Sequence, residues 1–386
     1  MVLLIINVVL LALYRMIIGR ANRILMLLPY FKSASVSSDK ATIVIPARNE
    51  STNIGRCLDS LLQQSLPSNQ LEIIVVDDGS TDATAAIVKS YSDKGVRLLQ
   101  LNDEVGGKKA ALSKGIAGAT HPIIITTDAD CTYPKNWLNT LLNYRSEHDA
   151  VFVAAPVKYT KENNFLERFQ SLDFLALQGI TIAAVSKHLF NMCNGANLLY
   201  TKEAFEKVNG FEGIDQIPTG DDMLLMEKID AAYPGKVKYC FSQEAIVETL
   251  PAAGLKAFIQ QRIRWASKST SYKNTNIKLV LLLVYLVNVG LLSLTIMSLF
   301  DLYYLQSALL LILIKTIFEY PFMIRVARFF DKQYLLPWFI LAQPFHIAYT
   351  TLSASLSFFK SYEWKGRKTV NGSTGNRNIS IETLIQ

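Results

Sequence analysis

Cysteine and histidine are scarce here, with four of each in 386 residues. Cys57, Cys131, Cys193 and Cys240 lie far apart and form no C-x-x-C, which argues against a disulfide scaffold and against a zinc ribbon. Four scattered histidines argue equally against a His-rich metal site. The chain lacks a G-x-G-x-x-G and a G-x-x-x-x-G-K-[ST], and Gly106-Gly107-Lys108-Lys109 fits neither, so a dinucleotide oxidoreductase and a P-loop ATPase are disfavoured. Charge is sparse too. Only 18% of residues are charged, 50% are apolar and the mean hydropathy is +0.22. Such a chain is not disordered, and it is more apolar than an ordinary soluble enzyme.

The excess apolar residues are concentrated in long runs. Residues 2–19 are nearly continuous, broken by Arg15, with no basic stretch before them and no small-residue cleavage site after, so an uncleaved anchor is expected rather than a signal peptide. Residues 279–300, 302–324 and 335–359 are also long enough to span, giving one N-terminal and about three C-terminal transmembrane helices. Lys315 and Glu319 are four residues apart within the third run, on one helix face, and are expected to pair. With so few spans and no internal repeat, a transporter is disfavoured.

The net charge of +7 is unevenly distributed. Residues 1–40 carry +4, residues 41–251 carry −7, residues 252–278 carry +6, residues 279–324 carry −1 and residues 325–386 carry +5. An acidic block bracketed by basic membrane edges does not fit nucleic-acid binding. It fits a cytoplasmic domain at 41–251, placed by Arg20, Arg23 and Lys32 on one side and by Lys256 to Lys278 on the other. Arg325, Arg328 and Lys332 put the following loop inside as well, and so do the basic residues of the tail at 360–386. A single crossing by 335–359 cannot satisfy both, so either that segment re-enters around Pro344 or the tail lies outside.

Within 41–251, short apolar runs alternate with helical patterns. The strands are expected at 41–46, 71–76, 96–101 and 121–127, with helices at 54–64, after Ser80-Thr81-Asp82 and from Lys108. Unalternated apolar strands separated by helices imply a parallel sheet covered on both faces, with ligands bound at the carboxyl ends of the strands. Polar residues stand at those ends: Arg48-Asn49-Glu50, Asp77-Asp78 and Asp128-Ala129-Asp130. Two carboxylates flanking one residue can reach one hard cation, and such a cation can hold a diphosphate. Asp77 or Asp78 can accept hydrogen bonds from a nucleoside, and Lys108 can meet a phosphate as a point charge. Asp221-Asp222 precedes a helical pattern from Met223, where an acid can cap the helix or act as a general base. Leu255, Phe258, Ile259 and Trp265 mark 252–278 as an amphipathic interfacial segment. Taken singly, each of these acids and cations also has a plainer role as a turn, cap or solvated side chain.

As an ordered set they resemble the membrane-bound family 2 glycosyltransferases with a GT-A fold: IVIPARNE at 43–50, VVDDGSTD at 75–82, GKKAAL at 107–112, DAD at 128–130, NGAN at 194–197, GDD at 220–222 and QRIRW at 261–265. The resemblance implies an α/β nucleotide-sugar-binding domain with a mixed, mainly parallel sheet. It also implies inverting hexosyl transfer from a nucleotide-sugar, usually a UDP-sugar. By that resemblance Pro46, Asn49, Glu50, Asp77, Asp78 and Lys108 serve the nucleotide, and Asp128 and Asp130 hold Mg2+ or Mn2+ on its diphosphate. Asp222, with Asp221 beside it, matches the general base. Asn194 and Gly195 line the acceptor pocket, and Gln261, Arg264 and Trp265 stand next to donor and acceptor. Processive polysaccharide synthases and ceramide glucosyltransferase-like enzymes share the last motif. Only Lys315 and Glu319 are ionisable inside the last three spans, a thin lining for a sugar channel. A lipid or lipid-like acceptor is therefore expected, with a polymer as the alternative and a non-catalytic nucleotide-binding subunit as a remote one. A bacterial inner membrane, with the catalytic domain facing the cytoplasm, is the expected location.

Overall fold

The computed structural model describes residues 2–101, 106–215, 217, 220–357, 362–364 and 367–369. The chain begins with helix α1 (Val2–Leu27). There follow β1 (Ala41–Ala47), α2 (Ile54–Leu62), β2 (Leu71–Asp77), α3 (Thr84–Lys89), β3 (Val96–Gln100), α4 (Lys108–Ala117), β4 (Ile123–Thr126), α5 (Trp137–Glu147), β5 (Phe152–Ala154) and β6 (Val157–Tyr159). Next come α6 (Phe165–Ser186), β7 (Leu198–Thr201), α7 (Lys202–Lys207), α8 (Met223–Ala232), β8 (Val237–Tyr239) and β9 (Val247–Thr249). Four helices, α9 (Gly254–Ser267), α10 (Thr275–Met297), α11 (Leu302–Phe329) and α12 (Leu336–Ser357), precede a short hairpin of β10 (Tyr362–Trp364) and β11 (Arg367–Thr369).

Seven strands form one sheet in the order β3-β2-β1-β4-β7-β5-β8. β1 is buried almost throughout, because its alternate side chains enter cores on opposite faces: Val44 on one side, Ile43 and Ile45 on the other. β1 runs parallel to β2 and β4, its two neighbours. β7 is antiparallel to both β4 and β5, so the sheet is mixed rather than purely parallel. The simple alternation expected from residues 41–127 holds only for that half; beyond β4 the chain enters the long helix α6 before returning as β7. On the helical side, α4 lies so close to the sheet that a Cβ on Gly115 would stand 2.3 Å from Val44 Cγ1.

Among the described residues, four helices are long and apolar enough to cross a membrane: α1, α6, α10 and α11. Three coincide with expected spans. α6 does not: it lies inside the expected catalytic block and is largely buried. It packs on β6 and β8 on one side and on α1, α11 and α12 on the other, joining the sheet to the apolar helices. A Cβ on Gly179 would stand 2.4 Å from Val326 Cγ2 and 2.7 Å from Phe322 Cζ, so that α6–α11 crossing requires glycine. α12 covers the fourth expected span but buries Gln343 and Ser353 and is not among the four helices. Lys332, just before it, pairs with Glu162 of the sheet domain at 2.7 Å. The helix then runs along α6 and α9, and β10 beyond it lies against α9. α12 thus has contacts with the sheet domain near its start and with α9 along its length. Most of the basic tail lies outside the described residues.

Candidate active site

The parallel register brings the ends of β1, β2 and β4 to one edge. Ala47 pairs with Asp77, and the Asp78 N–H donates to Ala47 O at 2.8 Å. Asn49 adopts φ 53°, the left-handed region that Asn tolerates better than most residues. Its Oδ1 accepts from Thr81 N at 2.8 Å, while its own N–H donates to Ser80 Oγ at 3.0 Å. Asn49 therefore clips the end of β1 to the loop after β2. Asp77 is buried, and its Oδ1 accepts from Ser80 N at 3.3 Å. Both are framework residues. Asp78 reaches the other way, accepting from Gly107 N at 2.9 Å and so fixing the start of α4.

Lys108 begins α4 and lies between two carboxylates, 2.8 Å from Asp128 Oδ1 and 3.1 Å from Asp221 Oδ2. Burial works against its charge, but Asp128 and Asp221 outweigh that and raise its pKa above the ordinary lysine value. Asp221 shows the converse. Burial pushes it up, but Lys108 first and Lys268 next hold it well below the usual carboxylate range. Lys109 faces away and donates to the carbonyls of Ile214 and Ile217, bracing the loop that leads to Asp221. Gly195 lies directly against this group. A Cβ there would stand 3.1 Å from Lys108 Nζ, 3.4 Å from Asp221 Oδ2 and 3.5 Å from Asp222 Cβ.

Asp222 caps α8, accepting from Met223 N at 2.7 Å, and pairs with Lys268 Nζ at 3.0 Å. Capping and facing the site are thus compatible. In the 194–197 turn, Asn194 Oδ1 accepts from Ala196 N at 2.9 Å. Asn197, fully buried, accepts from Trp137 Nε1 at 3.0 Å and donates to the carbonyls of Pro156 and Ala245 at 2.8 Å each. The turn that presents Gly195 is therefore held from three sides.

α9 does more than lie at an interface. It buries Phe258, Arg262 and Ile263 and leaves Leu255 exposed. Arg262 Nη2 is 2.7 Å from Asp173 Oδ2, and its guanidinium stacks over the Trp265 ring at 4.3 Å. Tyr349 donates to Asp173 as well, and His346 Nε2 lies 3.8 Å from it. Lys268, Arg262 and Asp173 were not singled out from the sequence. The first two are hidden among the basic residues of 252–278, whereas Asp173 left a signal as an acid within an otherwise apolar stretch.

One cavity of about 570 Å3 connects these groups. Pro46, Glu50, Asp78, Lys108, Asp128, Asp130, Asn194, Gly195, Asp221 and Asp222 line it at the sheet edge, and Gln261, Arg264 and Trp265 line it along α9. Asn49 and Asp77 are not in the lining. The cavity continues among α1, α6, α10, α11 and α12, as far as Tyr14, Lys315, Glu319 and Gln343. There Lys315 pairs with Glu319 at 2.8 Å, Tyr14 donates to Glu319 at 2.7 Å, and Gln343 bonds to both members of the pair at 2.8 Å. The expected pair forms and also faces the cavity.

No three His, Cys, Asp or Glu side chains converge as a metal cage among the described residues. Asp128 and Asp130 offer two hard oxygen ligands and leave further positions for other oxygens, which fits a divalent cation shared with a ligand. Burial pushes the Cys57 thiol up to about 12, so it is not a nucleophile at neutral pH.

Residues 42–208 match the family model described as glycosyl transferase family 2. Over 195 residues, 50% of this chain, the sequence is 29% identical to glycosyltransferase AglE of Haloferax volcanii, covering 62% of that protein. Over 146 residues, 36% of this chain, it is 32% identical to 4,4'-diaponeurosporenoate glycosyltransferase of Staphylococcus aureus, covering 37% of that protein. The chain thus spans less than two thirds of the length of these curated relatives. Among solved structures, the mannosyltransferase PcManGT from Pyrobaculum calidifontis, in complex with GDP-Man and Mn2+, superposes over 92% of this chain and 99% of that one. The TM-score is 0.57 at 20% identity, a likeness of fold.

Proposed function

From its family 2 glycosyltransferase domain, we propose that this protein is a membrane-bound inverting glycosyltransferase. It moves a sugar from a nucleotide-sugar donor, a UDP-sugar by resemblance, to a hydroxyl of a lipid or lipid-like acceptor. The observation that carries this reading is the single cavity, whose lining includes both the strand-end carboxylates and the apolar helices. A relative lends this some support: the matched S. aureus protein is named for the acceptor 4,4'-diaponeurosporenoate.

In the proposed reaction the donor's nucleoside lies against Asp78 at the ends of β1 and β2. Asp128 and Asp130 would hold a divalent cation, Mg2+ or Mn2+, which supplies positive charge to the diphosphate when bound. Lys108 adds a fixed cation beside Asp128 and keeps Asp221 ionised. Asp222 accepts the proton of the acceptor hydroxyl. The acceptor oxygen bonds to the anomeric carbon as the bond from that carbon to the phosphate oxygen breaks, and its electron pair leaves with the nucleoside diphosphate. Lys268 holds the Asp222 carboxylate in place, and Trp265 supplies an aromatic wall. The sheet domain faces the cytoplasm, as the basic residues flanking the apolar helices suggest.

The test is to incubate membranes carrying the protein with a panel of labelled nucleotide-sugars. Label appearing in lipid-extractable material, absent from control membranes, supports the reading. Label only in an insoluble chain shows a polysaccharide synthase instead, and no transfer from any donor contradicts glycosyl transfer.

A further inference from the structure

The deep end of the cavity has its own chemistry. Arg262 and Lys315 are its cations, and each has a carboxylate of its own, Asp173 at 2.7 Å and Glu319 at 2.8 Å. The side chains of both pairs are at most 9% exposed. Along the whole cavity the lining carries eight carboxylates against six Lys and Arg side chains. One divalent cation would balance that difference, and the donor diphosphate would then bring negative charge of its own. The cavity therefore has no net positive charge to offer a second phosphate. An acidic acceptor would meet Asp173 and Glu319 at close quarters in a medium of low dielectric, where like charges repel strongly.

Among the described residues, the buried polar atoms without a hydrogen-bond partner in this part of the cavity include Gln261 Oε1, Arg262 Nε and His346 Nδ1. Arg262 touches Asp173 through Nη2, and its Nε is left over although the residue is 95% buried, being 5% exposed. The Tyr159 hydroxyl hydrogen-bonds to the Gln261 and Arg262 side chains, so only part of each side chain's capacity is left for a ligand. The set holds one acceptor, one donor and one ring nitrogen able to do either. Buried polar groups are normally paired, so a ligand that completes this set brings both donors and acceptors. Hydroxyl, amide and ester groups do so without carrying charge.

We infer that the deep end of the cavity is a headgroup site for an electrically neutral amphiphile, whose hydroxyl and amide or ester groups pair with Gln261, Arg262 and His346. The two ion pairs, Arg262–Asp173 and Lys315–Glu319, close the site to phosphorylated lipids. This rests on the reading of the protein as a glycosyltransferase with a lipid acceptor, and it names the class of that acceptor.

The experiment takes the lipid-extractable product formed by membranes carrying the full chain and passes it over an anion exchanger at neutral pH. A product that flows through unretained is expected. A retained product, released by salt, overturns the inference while leaving the glycosyltransferase reading intact. Label confined to polymer, or no label, overturns that reading and the inference with it. A second arm adds diacylglycerol or polyprenyl phosphate to purified protein in neutral-lipid nanodiscs. Wild-type protein is expected to glycosylate the neutral lipid at least about tenfold faster, the scale of one charged-group contact. Glu319→Gln, which leaves Lys315 without its carboxylate, is expected to reduce that ratio about tenfold. A preference for polyprenyl phosphate in the wild type, or an unchanged ratio in the variant, overturns the role given to the pairs. His346→Ala should raise the KM for the neutral lipid several-fold with kcat held within about twofold. An unchanged KM would remove His346 from the site.

Discussion

Lys268 Nζ lies 3.0 Å from Asp222 Oδ1, and both side chains are buried. The pair links the basic segment after α9 to the N-terminus of α8, so one carboxylate both caps a helix and stands in the cavity. Lys268 fixes the orientation of that carboxylate, which the proposed transfer requires of the group that takes a proton from an acceptor hydroxyl. The same pairing principle recurs with Lys108 between Asp128 and Asp221, with Arg262 against Asp173 and with Lys315 against Glu319.

Lys108→Met should strand Asp128 and Asp221 beside each other and cost up to about 3 kcal/mol, the low end for breaking a buried pair. The pH dependence follows in sign. Asp221 has a folded pKa below its unfolded value, so its stabilising contribution is complete above about pH 3.9 and is lost as pH falls through the folded value. In the variant that contribution disappears. Melting curves in detergent should therefore show a wild-type advantage at neutral pH that shrinks as the solution is acidified. An advantage independent of pH down to acid unfolding would contradict the assignment.

Gly195→Ala should act on chemistry more than on folding. The new methyl would stand 3.1 Å from Lys108 Nζ and must push it off its two carboxylates by a few tenths of an ångström. Transfer should fall by about tenfold or more, the order expected when a positioned charge is misplaced. Stability should change by only about 1 kcal/mol. Steady-state kinetics beside thermal melts separate the two effects.

Asp173→Asn removes the carboxylate of a buried Arg262 and should cost about 3–5 kcal/mol. Adding Arg262→Met to that variant should recover a good part of the loss, because no uncompensated charge then remains. Urea or thermal unfolding of the single and double variants in one detergent reads this directly. Additive losses would contradict a direct pair.

Chelation tests the carboxylates at 128 and 130. Transfer by purified protein in EDTA should drop to background and return on adding Mg2+ or Mn2+, while Asp130→Ala should not be rescued by either ion. Full activity in EDTA would contradict the role given to these residues.

The sheet half of the fold was legible because β1 and β2 are buried on both faces and read as unbroken apolar runs. The polar strand ends were legible for the same reason, since a run that stops at Asp77 or Asp128 marks the edge of the sheet. β7 was not legible, because the antiparallel return depends on α6, and an apolar run such as Leu172–Val185 reads alike whether protein or lipid surrounds it. Asn49 and Asp77 carry the right residue types in the right motifs, and each also bonds to the loop at 80–81, which the sequence did not reveal. Arg262 and Asp173 lie far apart in the chain, so their pairing existed only once α6, α9 and α12 were packed. Lys315 and Glu319 could be paired from spacing alone, but not placed on the cavity that also reaches Asp222.

The central claim is that Asp222 is the base of an inverting transfer. Its most direct test is the rate of sugar transfer by Asp222→Asn, measured with donor binding by titration on the same purified preparation. The account predicts that transfer falls by about 10²–10⁴-fold, the range for loss of a general base, with donor affinity largely preserved. A variant that binds donor and transfers sugar at a near-wild-type rate would contradict it.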